Sequence, residues 1–168
     1  MKKVLETERL VLREMDAAHD AAFMLELLNE PAFLRYVADR GVRTTGAAAA
    51  YITEKILPSY EKLGFGFYVV ELKESGEPVG ICGLVKRDTL DDVDIGFSTA
   101  ARYERRGYAR EAASALLEHG RTVHGLARIV GITAPDNHAS ARLLEKLGLR
   151  FERMVQVRGF GSESRLFG

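Results

Sequence analysis

The sequence predicts an α/β protein in which helices flank a mixed central sheet, and three observations lead to this fold class. Segments 67–72, 79–85 and 93–98 are rich in β-forming residues, are joined by turns and predict consecutive antiparallel strands. Apolar residues then recur with helical spacing across 107–124. Residues 127–133 return to β-forming types, so a strand–helix–strand unit with parallel strands completes the pattern.

The N-terminal part adds one strand and two helices to this framework. Residues 9–13 alternate as a strand does, and Asp16 is predicted to cap a helix over 17–29. A second helix is predicted over about 44–56, and Pro58 is expected to kink or break it.

The C-terminal part adds a helix and further strands. Residues 134–137 are predicted to end the preceding strand and to cap a helix that Gly148 terminates. A strand follows at 149–151, and the remainder is predicted to form two short strands around 159–162. The complete prediction is one domain over 1–168, an α/β (α+β) fold with about seven strands and about four helices.

The composition excludes several classes of protein. Hydrophobic residues make up 46% and charged residues 29%, as in ordinary globular domains, and the formal net charge is zero. A balanced charge argues against nucleic acid or an anionic membrane as the main partner. No apolar stretch has the length of a signal peptide or a membrane span, and the single cysteine, Cys82, lies in an apolar run that indicates a buried structural thiol. These features predict a cytoplasmic protein.

A basic loop between the strand predicted at 93–98 and the helix predicted at 107–124 has the composition of an anion site. The first turn of a helix presents N–H groups without intrahelical partners, and Gly107 lets the backbone approach an anion closely. Arg105, Arg106 and Arg110 add charges suited to phosphate oxygens. Neither the P-loop pattern nor the dinucleotide-binding glycine pattern is present. A solvated basic loop that leads into an ordinary amphipathic helix is the alternative interpretation.

The loop resembles the pyrophosphate loop of the GNAT N-acetyltransferases. In that family the pattern is Q/R-x-x-G-x-G/A. Gly107 and Ala109 match its G and G/A positions, while Glu104 occupies the Q/R position and does not match. Residues 137–149 resemble the second signature of the family, Asn-x-x-Ser/Ala-x-x-x-x-Glu-Lys-x-Gly-Phe. The opening segment 7–13 is similar to the branch that contains the ribosomal-protein-alanine N-acetyltransferases. The resemblance therefore covers essentially the whole chain.

The resemblance implies a GNAT fold, with the central sheet splayed between its fourth and fifth strands. The pantetheine arm of acetyl-CoA is expected in the gap, where the backbone of Phe97, Ser98 and Thr99 would pair with it as with an added strand. Asn137 is expected to hydrogen-bond the pantetheine, although it also suits the N-cap of the following helix. The pyrophosphate is expected to bind backbone amides of Arg105, Arg106, Gly107, Tyr108, Ala109 and Arg110.

Direct transfer is the chemistry that the resemblance implies, because in the family an amine attacks the thioester without an acyl-enzyme. The tyrosine that many members use as general acid is replaced here by Leu144, and Ser140 is the candidate for hydrogen-bonding the coenzyme sulfur. Asp94 is the candidate general base, acting directly or through a water. A helix-surface serine and an ordinary surface aspartate are the alternative interpretations of these two residues.

The expected acceptor is a primary amine of low pKa. An α-amine with a pKa of about 7.7–8 is roughly a tenth or more neutral at pH 7, whereas a lysine near 10.4 is under about 0.1% neutral. A protein N-terminus is therefore favoured, and a small-molecule amine (an amino acid, polyamine or drug) is the alternative. Loops around 31–46 and 155–163 are expected to shape the acceptor pocket. A CoA-binding module without turnover is a further alternative, and homodimers are common in this branch, although no feature of the sequence demands one.

Acetyl-CoA, as a co-substrate, is the only cofactor expected. No metal is predicted, because the four histidines show no ligand spacing. His119 and His124 are five residues apart and are expected to diverge.

Overall fold

A computed structural model describes all residues, 1–168. The strands are β1 Lys3–Glu6, β2 Leu10–Glu14, β3 Phe67–Leu72, β4 Pro78–Val85, β5 Val93–Thr99, β6 Ile129–Thr133, β7 Phe151–Val155 and β8 Ser164–Phe167. The helices are α1 Ala21–Leu28, α2 Pro31–Tyr36, α3 Thr45–Tyr51, α4 Leu57–Leu63, α5 Tyr108–Thr122 and α6 His138–Lys146. No helix combines the length and apolar character that crossing a bilayer requires.

All eight strands form one sheet, in the order β1-β2-β3-β4-β5-β6-β8-β7. Neighbouring strands are antiparallel except β5 and β6, which are parallel and pair only through Val93 with Ile129 and Asp94 with Val130. From Gly131 onward, β6 pairs with β8 instead. The sheet is therefore splayed between β5 and β6, and the predicted mixed α/β fold is confirmed.

The ends of the sheet differ from the prediction. β1 is an additional strand of four residues at one edge, with charged residues at both ends and an irregular register against β2 between Lys3 and Leu5. So short and half-exposed a strand carries almost no alternation of apolar and polar residues, which is why its sequence does not reveal it. At the other edge, β7 begins at Phe151, and one strand, β8, follows it where two were predicted.

Helices cover both faces of the sheet. Along β3, Tyr68 and Val70 join a core of 19 buried residues under α5 and α6, while Val69 points to the opposite face and a core of 14 residues formed with α1, α3 and the segment between α3 and α4. A smaller cluster of 5 buried residues lies over β6 and β8, around Val130 and Leu166. The sheet is thus buried on both sides where it leads into the splayed region.

The first helix starts later than predicted. α1 begins at Ala21, with Asp20 and not Asp16 at its N-cap. Arg13 donates two hydrogen bonds to the Asp20 carboxylate, at 2.9 and 2.8 Å, and this buried pair joins α1 to β2. Asp16 accepts a hydrogen bond from the backbone N–H of His19 within the preceding turn, at 2.7 Å. The partner that fixes the start of the helix is therefore a strand residue.

Pro58 does not break the second helical segment. A π-helical turn, Ile52–Ile56, joins α3 to α4 without interruption, and the N–H of Leu57 donates to the carbonyl of Ile52. Because proline lacks an N–H and its ring clashes with the carbonyl four residues earlier, the wider turn accommodates it at the start of α4. At the other end, Thr44 caps α3, accepting a hydrogen bond from the N–H of Ala47 at 3.0 Å.

The single cysteine lies in the middle of the sheet. Cys82 is 1% exposed and stands opposite Phe97 of β5. Burial raises the pKa of its thiol to about 12. The predicted buried structural thiol is confirmed.

Gly83 allows β3 and β4 to approach closely beside the ring of Phe67. A methyl group at residue 83 would lie 2.5 Å from the Cα of Phe67 and 2.6 Å from the carbonyl oxygen of Gly66. Because both are backbone atoms, at the start of β3 and in the residue before it, Gly83→Ala is expected to lower the free energy of unfolding by about 2–3 kcal/mol. Gly161→Ala is the matched control, since nothing lies within 4 Å of that position. Urea unfolding measures both variants, and equal stability of the two would contradict this account of the packing.

Candidate active site

The free edge of β5 forms one wall of a groove. Phe97, Ser98 and Thr99 pair with β4 along one edge of the strand. Along the other edge there is no strand partner, because β6 pairs with β8 after Val130. Unpaired backbone N–H and C=O groups on a strand edge can bind an extended chain as an added strand. The three predicted residues therefore present the kind of edge that an amide-bearing arm could pair with.

The opposite wall is β6 with α6 packed upon it. A methyl group at Gly131 would lie 2.6 Å from Cδ2 of Leu144, so the leucine side chain rests directly on the strand backbone. Leu144 is 1% exposed and belongs to the main core. The position at which the resemblance predicted a missing tyrosine is therefore closed by core packing, and its side chain does not reach the groove.

A loop at the start of α5 presents unpaired backbone donors. After a 3₁₀ turn, Ala101–Tyr103, the chain adopts left-handed conformations at Arg105 (φ 63°) and at Gly107 (φ 81°), the N-cap of α5. The N–H groups of Arg105, Arg106 and Gly107 donate to no protein acceptor, and the first N–H to bond within the helix is that of Glu111, to Gly107 at 3.0 Å. Clustered N–H groups beside a helix N-terminus form a concave site for an anion.

Three charged side chains of the loop also have no acidic partner within the protein. The side chains of Arg105, Arg106 and Arg110 are exposed and form no salt bridge, although the Arg106 guanidinium lies over the ring of Tyr103 at 5.8 Å. Three guanidinium groups and six N–H groups, from residue 105 to residue 110, suit an anion with several oxygens. A donor set of this kind is typical of sites that bind phosphate oxygens.

The start of α6 contributes two predicted site residues. Oδ1 of Asn137 accepts a hydrogen bond from the N–H of Ser140 at 3.2 Å, so the asparagine is the N-cap of the helix. Its Nδ2 donates to no protein acceptor. Ser140 is half-buried, and its hydroxyl has no protein partner. The cap and a contact to a bound ligand are compatible, because they use different atoms of the asparagine.

Asp94 lies at the apex of the splay. It belongs to the last residue pair shared by β5 and β6, and it is 1% exposed, so the ordinary surface role considered for it is wrong. Oδ2 accepts a hydrogen bond from Nε of Arg87 at 3.2 Å, while Oδ1 is buried without a partner. Burial raises the pKa of this carboxyl, and the nearby charge of Arg87 opposes the shift only in part.

Arg87 is a site residue that the sequence analysis missed. It follows β4, in which Val85 stands opposite Asp94, so the hairpin register brings it beside the aspartate. The predicted antiparallel pairing of 79–85 with 93–98 would reveal this contact only if the register between the two strands were also known. The Arg87 guanidinium also lies over the ring of Phe160, at 5.0 Å from the ring centre.

A cleft of about 280 Å³ opens on the face toward which Asp94 points. Val93 and Ile95 join the core under α5, so the intervening Asp94 faces the other side of the sheet. The cleft is lined by residues 34–39 at the end of α2, by Ala134 and Asp136 after β6, and by the segment 160–164. The segments predicted to shape an acceptor pocket thus meet around one cavity.

The two histidines near the end of α5 do not diverge as predicted. Their rings are 5.3 Å apart, edge to face, because the chain leaves the helix after Thr122 and brings His124 back beside His119 and Phe65. Burial lowers the pKa of His119, and the neighbouring His124 lowers it further. No group of three or more potential metal ligands exists in the structure. The pair is an aromatic contact at the end of the helix remote from the phosphate loop.

Comparison with known proteins places this geometry in a family. The acetyltransferase (GNAT) domain model matches residues 9–150. The N-acetyltransferase YnaD of Bacillus subtilis is 29% identical over 148 residues, covering 88% of this chain and 83% of that protein. RimL, a ribosomal alpha-N-protein acetyltransferase solved in complex with coenzyme A, superposes with a TM-score of 0.81 at 17% identity, covering 99% of this chain and 96% of that one. MccE, a microcin self-immunity acetyltransferase solved with acetyl-CoA and AMP, superposes with a TM-score of 0.78 at 16% identity. The match covers 96% of this chain and 92% of that one.

The chain belongs to the GNAT acetyltransferase family. Members of this family carry out acetyl-CoA-dependent N-acetylation, and the predicted enzyme class is confirmed. RimL shares the fold that the sequence resemblance implies.

Substitution of Gly107 tests the coenzyme loop. Gly107→Glu places a carboxylate where the free N–H groups converge, and like charge would repel a phosphate, so CoA affinity should fall by about a hundredfold or more. Gly76→Glu is the matched control, because Gly76 also has a left-handed φ, 74°, and nothing lies within 4 Å of it. Calorimetric titration with CoA measures both variants. A folded Gly107→Glu variant that binds CoA as the wild type does would remove the loop from the site.

Proposed function

We propose that the protein transfers the acetyl group of acetyl-CoA directly to a primary amine of low pKa, with a protein N-terminal α-amine as the favoured acceptor. The observation that carries this proposal is the parting of β5 and β6 immediately beyond Asp94, with the free N–H groups of residues 105–107 beside the open edge of β5. One gap thus offers a strand edge for the pantetheine arm, donors for the diphosphate and a carboxylate at its apex.

The coenzyme is held by backbone groups more than by side chains. Phe97, Ser98 and Thr99 pair with the pantetheine amides along the free edge of β5, and Nδ2 of Asn137 donates to the same arm from the other wall. The N–H groups of residues 105–110 bind the diphosphate, and the exposed arginines of the loop neutralise its charge. This arrangement directs the thioester toward the apex of the splay.

Transfer takes place in one complex. The lone pair of the neutral amine attacks the thioester carbonyl carbon, the new C–N bond forms, and the C–S bond then breaks to release the thiolate of CoA. Asp94 accepts the proton that the amine nitrogen loses, directly or through a water. The hydroxyl of Ser140, which has no protein partner, donates a hydrogen bond to the departing sulfur. No side chain becomes acylated.

The environment of Asp94 suits a general base better than that of an exposed aspartate. Burial raises the pKa of the carboxyl above its usual value, and the charge of Arg87 opposes that rise. The unpartnered Oδ1 is the oxygen available to the amine or water, because Oδ2 already accepts from Arg87. Oδ2 therefore positions the carboxylate through its bond with Arg87, and Oδ1 accepts the proton.

The acceptor cleft supports a short, flexible chain end. A volume of about 280 Å³ holds one or two residues, and Ser162, Ser164 and Asp136 on its walls offer partners for a peptide backbone. RimL, whose fold this chain shares, is an acetyltransferase of protein α-amines. A small-molecule amine is the second candidate acceptor, favoured by the same volume and by the fold shared with MccE.

A pair of peptides tests the preference for a low-pKa amine. One has a free α-amine and no lysine; the other is blocked at its N-terminus and contains one lysine in the same surrounding sequence. At pH 7 the free α-amine peptide is expected to react with a kcat/KM about two hundredfold higher, the ratio of the neutral fractions of the two amines. Release of CoA measures both rates. A preference for the lysine peptide would refute the proposed acceptor, and small amines in the same assay test the alternative.

The pH dependence of the reaction tests Asp94 and Arg87. A base acts only when ionised, so activity should rise with pH through the elevated pKa of Asp94. Since Arg87 lowers that pKa, Arg87→Gln should move the rising limb to higher pH, whereas Arg87→Lys, which keeps the charge, should move it less. Asp94→Asn should remove the part of the rise that belongs to Asp94, leave only the rise from deprotonation of the acceptor amine, and lower kcat by about 10²–10⁴-fold.

The measurement is kcat/KM from pH 5 to 9, with circular dichroism at each pH to show that every variant stays folded. An Asp94→Asn variant that retains the wild-type rate and profile would show that another group accepts the proton.

A further inference from the structure

A contact between the N-terminal turn and the first turn of α5 fixes the phosphate loop. Thr7, Arg9 and Glu111, here called the N-terminal clamp, join the turn between β1 and β2 to the first turn of α5. Glu111 accepts from the Thr7 hydroxyl at 2.5 Å, from the backbone N–H of Arg9 at 2.9 Å and from Nε of Arg9 at 2.8 Å. Both carboxylate oxygens are therefore occupied by groups that lie more than a hundred residues away in sequence.

Arg9 extends from the clamp along the loop. Its Nη1 donates to the backbone carbonyl of Arg106 at 3.0 Å, and its guanidinium lies 4.6 Å above the ring of Tyr108. Its Nη2 is 3.3 Å from the position that a methyl group at Gly107 would occupy. One side chain thus contacts three consecutive residues of the loop and a fourth, Glu111, one turn further on.

The bond to Arg106 determines where the next N–H points. The C=O of one residue and the N–H of the following residue belong to one planar trans peptide unit and point in opposite directions. Because the Arg106 carbonyl is held toward Arg9, the N–H of Gly107 faces away from Arg9 and remains free. The left-handed φ of Arg105, uncommon for a residue with a side chain, persists only where neighbouring contacts fix the loop.

Glu111 would oppose phosphate binding if it stood alone. It is a carboxylate in the first turn of the helix at which the diphosphate binds, so its charge repels that ligand. Burial tends to raise its pKa, but the hydrogen bonds from Thr7 and Arg9 outweigh burial and lower the pKa, so the group is ionised at neutral pH. The charge of Arg9 balances the charge of Glu111, and Glu111 holds the Arg9 side chain in place.

We infer that Arg9 is a positioning residue for coenzyme binding: anchored by Glu111, it orients the peptide between Arg106 and Gly107 so that the loop donates to the diphosphate of acetyl-CoA. The inference rests on the proposed function. It assigns a role in the coenzyme site to the N-terminal turn, which lies outside both the loop and the signature at 137–149.

The test compares CoA with pantetheine, which lacks the diphosphate, in calorimetric titrations of the full-length protein. Arg9→Ala and Arg9→Lys are both expected to bind CoA at least about tenfold more weakly, the change that corresponds to losing one hydrogen bond to a charged group. Pantetheine affinity should be unchanged in both. Arg121→Ala, an exposed arginine at the other end of α5, is the matched control and should bind both ligands as the wild type does.

Glu111→Gln distinguishes positioning from simple charge. It removes a negative charge beside the phosphates and frees Arg9, so electrostatics alone predicts tighter CoA binding. Positioning predicts the opposite, a weaker affinity for CoA with unchanged affinity for pantetheine. Tighter binding by Glu111→Gln, or wild-type CoA affinity in Arg9→Lys, would overturn the inference and leave the proposed function intact.

Two further measurements separate the remaining outcomes. Thermal unfolding of each variant shows whether a loss of CoA binding follows from unfolding, in which case pantetheine binding is lost as well and positioning is refuted. Failure of the wild-type protein to bind CoA would instead refute the proposed function, and this inference with it.

Discussion

The whole site depends on two adjacent parallel strands that share only two residue pairs. β5 and β6 meet at Val93 with Ile129 and at Asp94 with Val130, after which β6 turns to β8 and α6 rests on Gly131. Leaving the backbone groups of a central strand unpaired is costly unless water or a ligand satisfies them. Such an opening is therefore expected where a ligand pairs with the free edge of β5, and on the other wall Leu144 packs against β6.

Two carboxylates, one in the sheet and one in α5, have different roles because their surroundings differ. Asp94 and Glu111 each accept a hydrogen bond from an arginine on another segment of the chain, Arg87 and Arg9. Asp94 is almost fully buried, has one free oxygen, and has a raised pKa; Glu111 accepts three hydrogen bonds and has a lowered pKa. The first has the raised pKa and the unpartnered oxygen that a proton acceptor needs, whereas the second remains an ionised anchor.

The sequence alone predicts the parts of the fold that have a strong local period. The strands over 67–98 and the helix that begins after Gly107 agree with the structure, because each carries alternation or helical spacing of its own. The splay, which only the family resemblance implies, is also present. Contacts between distant segments are different: the register that brings Arg87 to Asp94 leaves no local pattern. The sequence does not reveal β1 or the late start of α1 after Asp20, since a short edge strand and the partner of Asp20 on β2 determine them.

The isolation of Cys82 makes the released coenzyme easy to detect. Burial raises the pKa of the Cys82 thiol to about 12, so very little thiolate exists at pH 8, and its position in β4 blocks access to reagents as well. No other cysteine exists in the chain. A chromogenic disulfide reagent added to the native enzyme therefore reports each turnover without a background signal from the protein, and a slow rise in that background would reveal opening of the sheet.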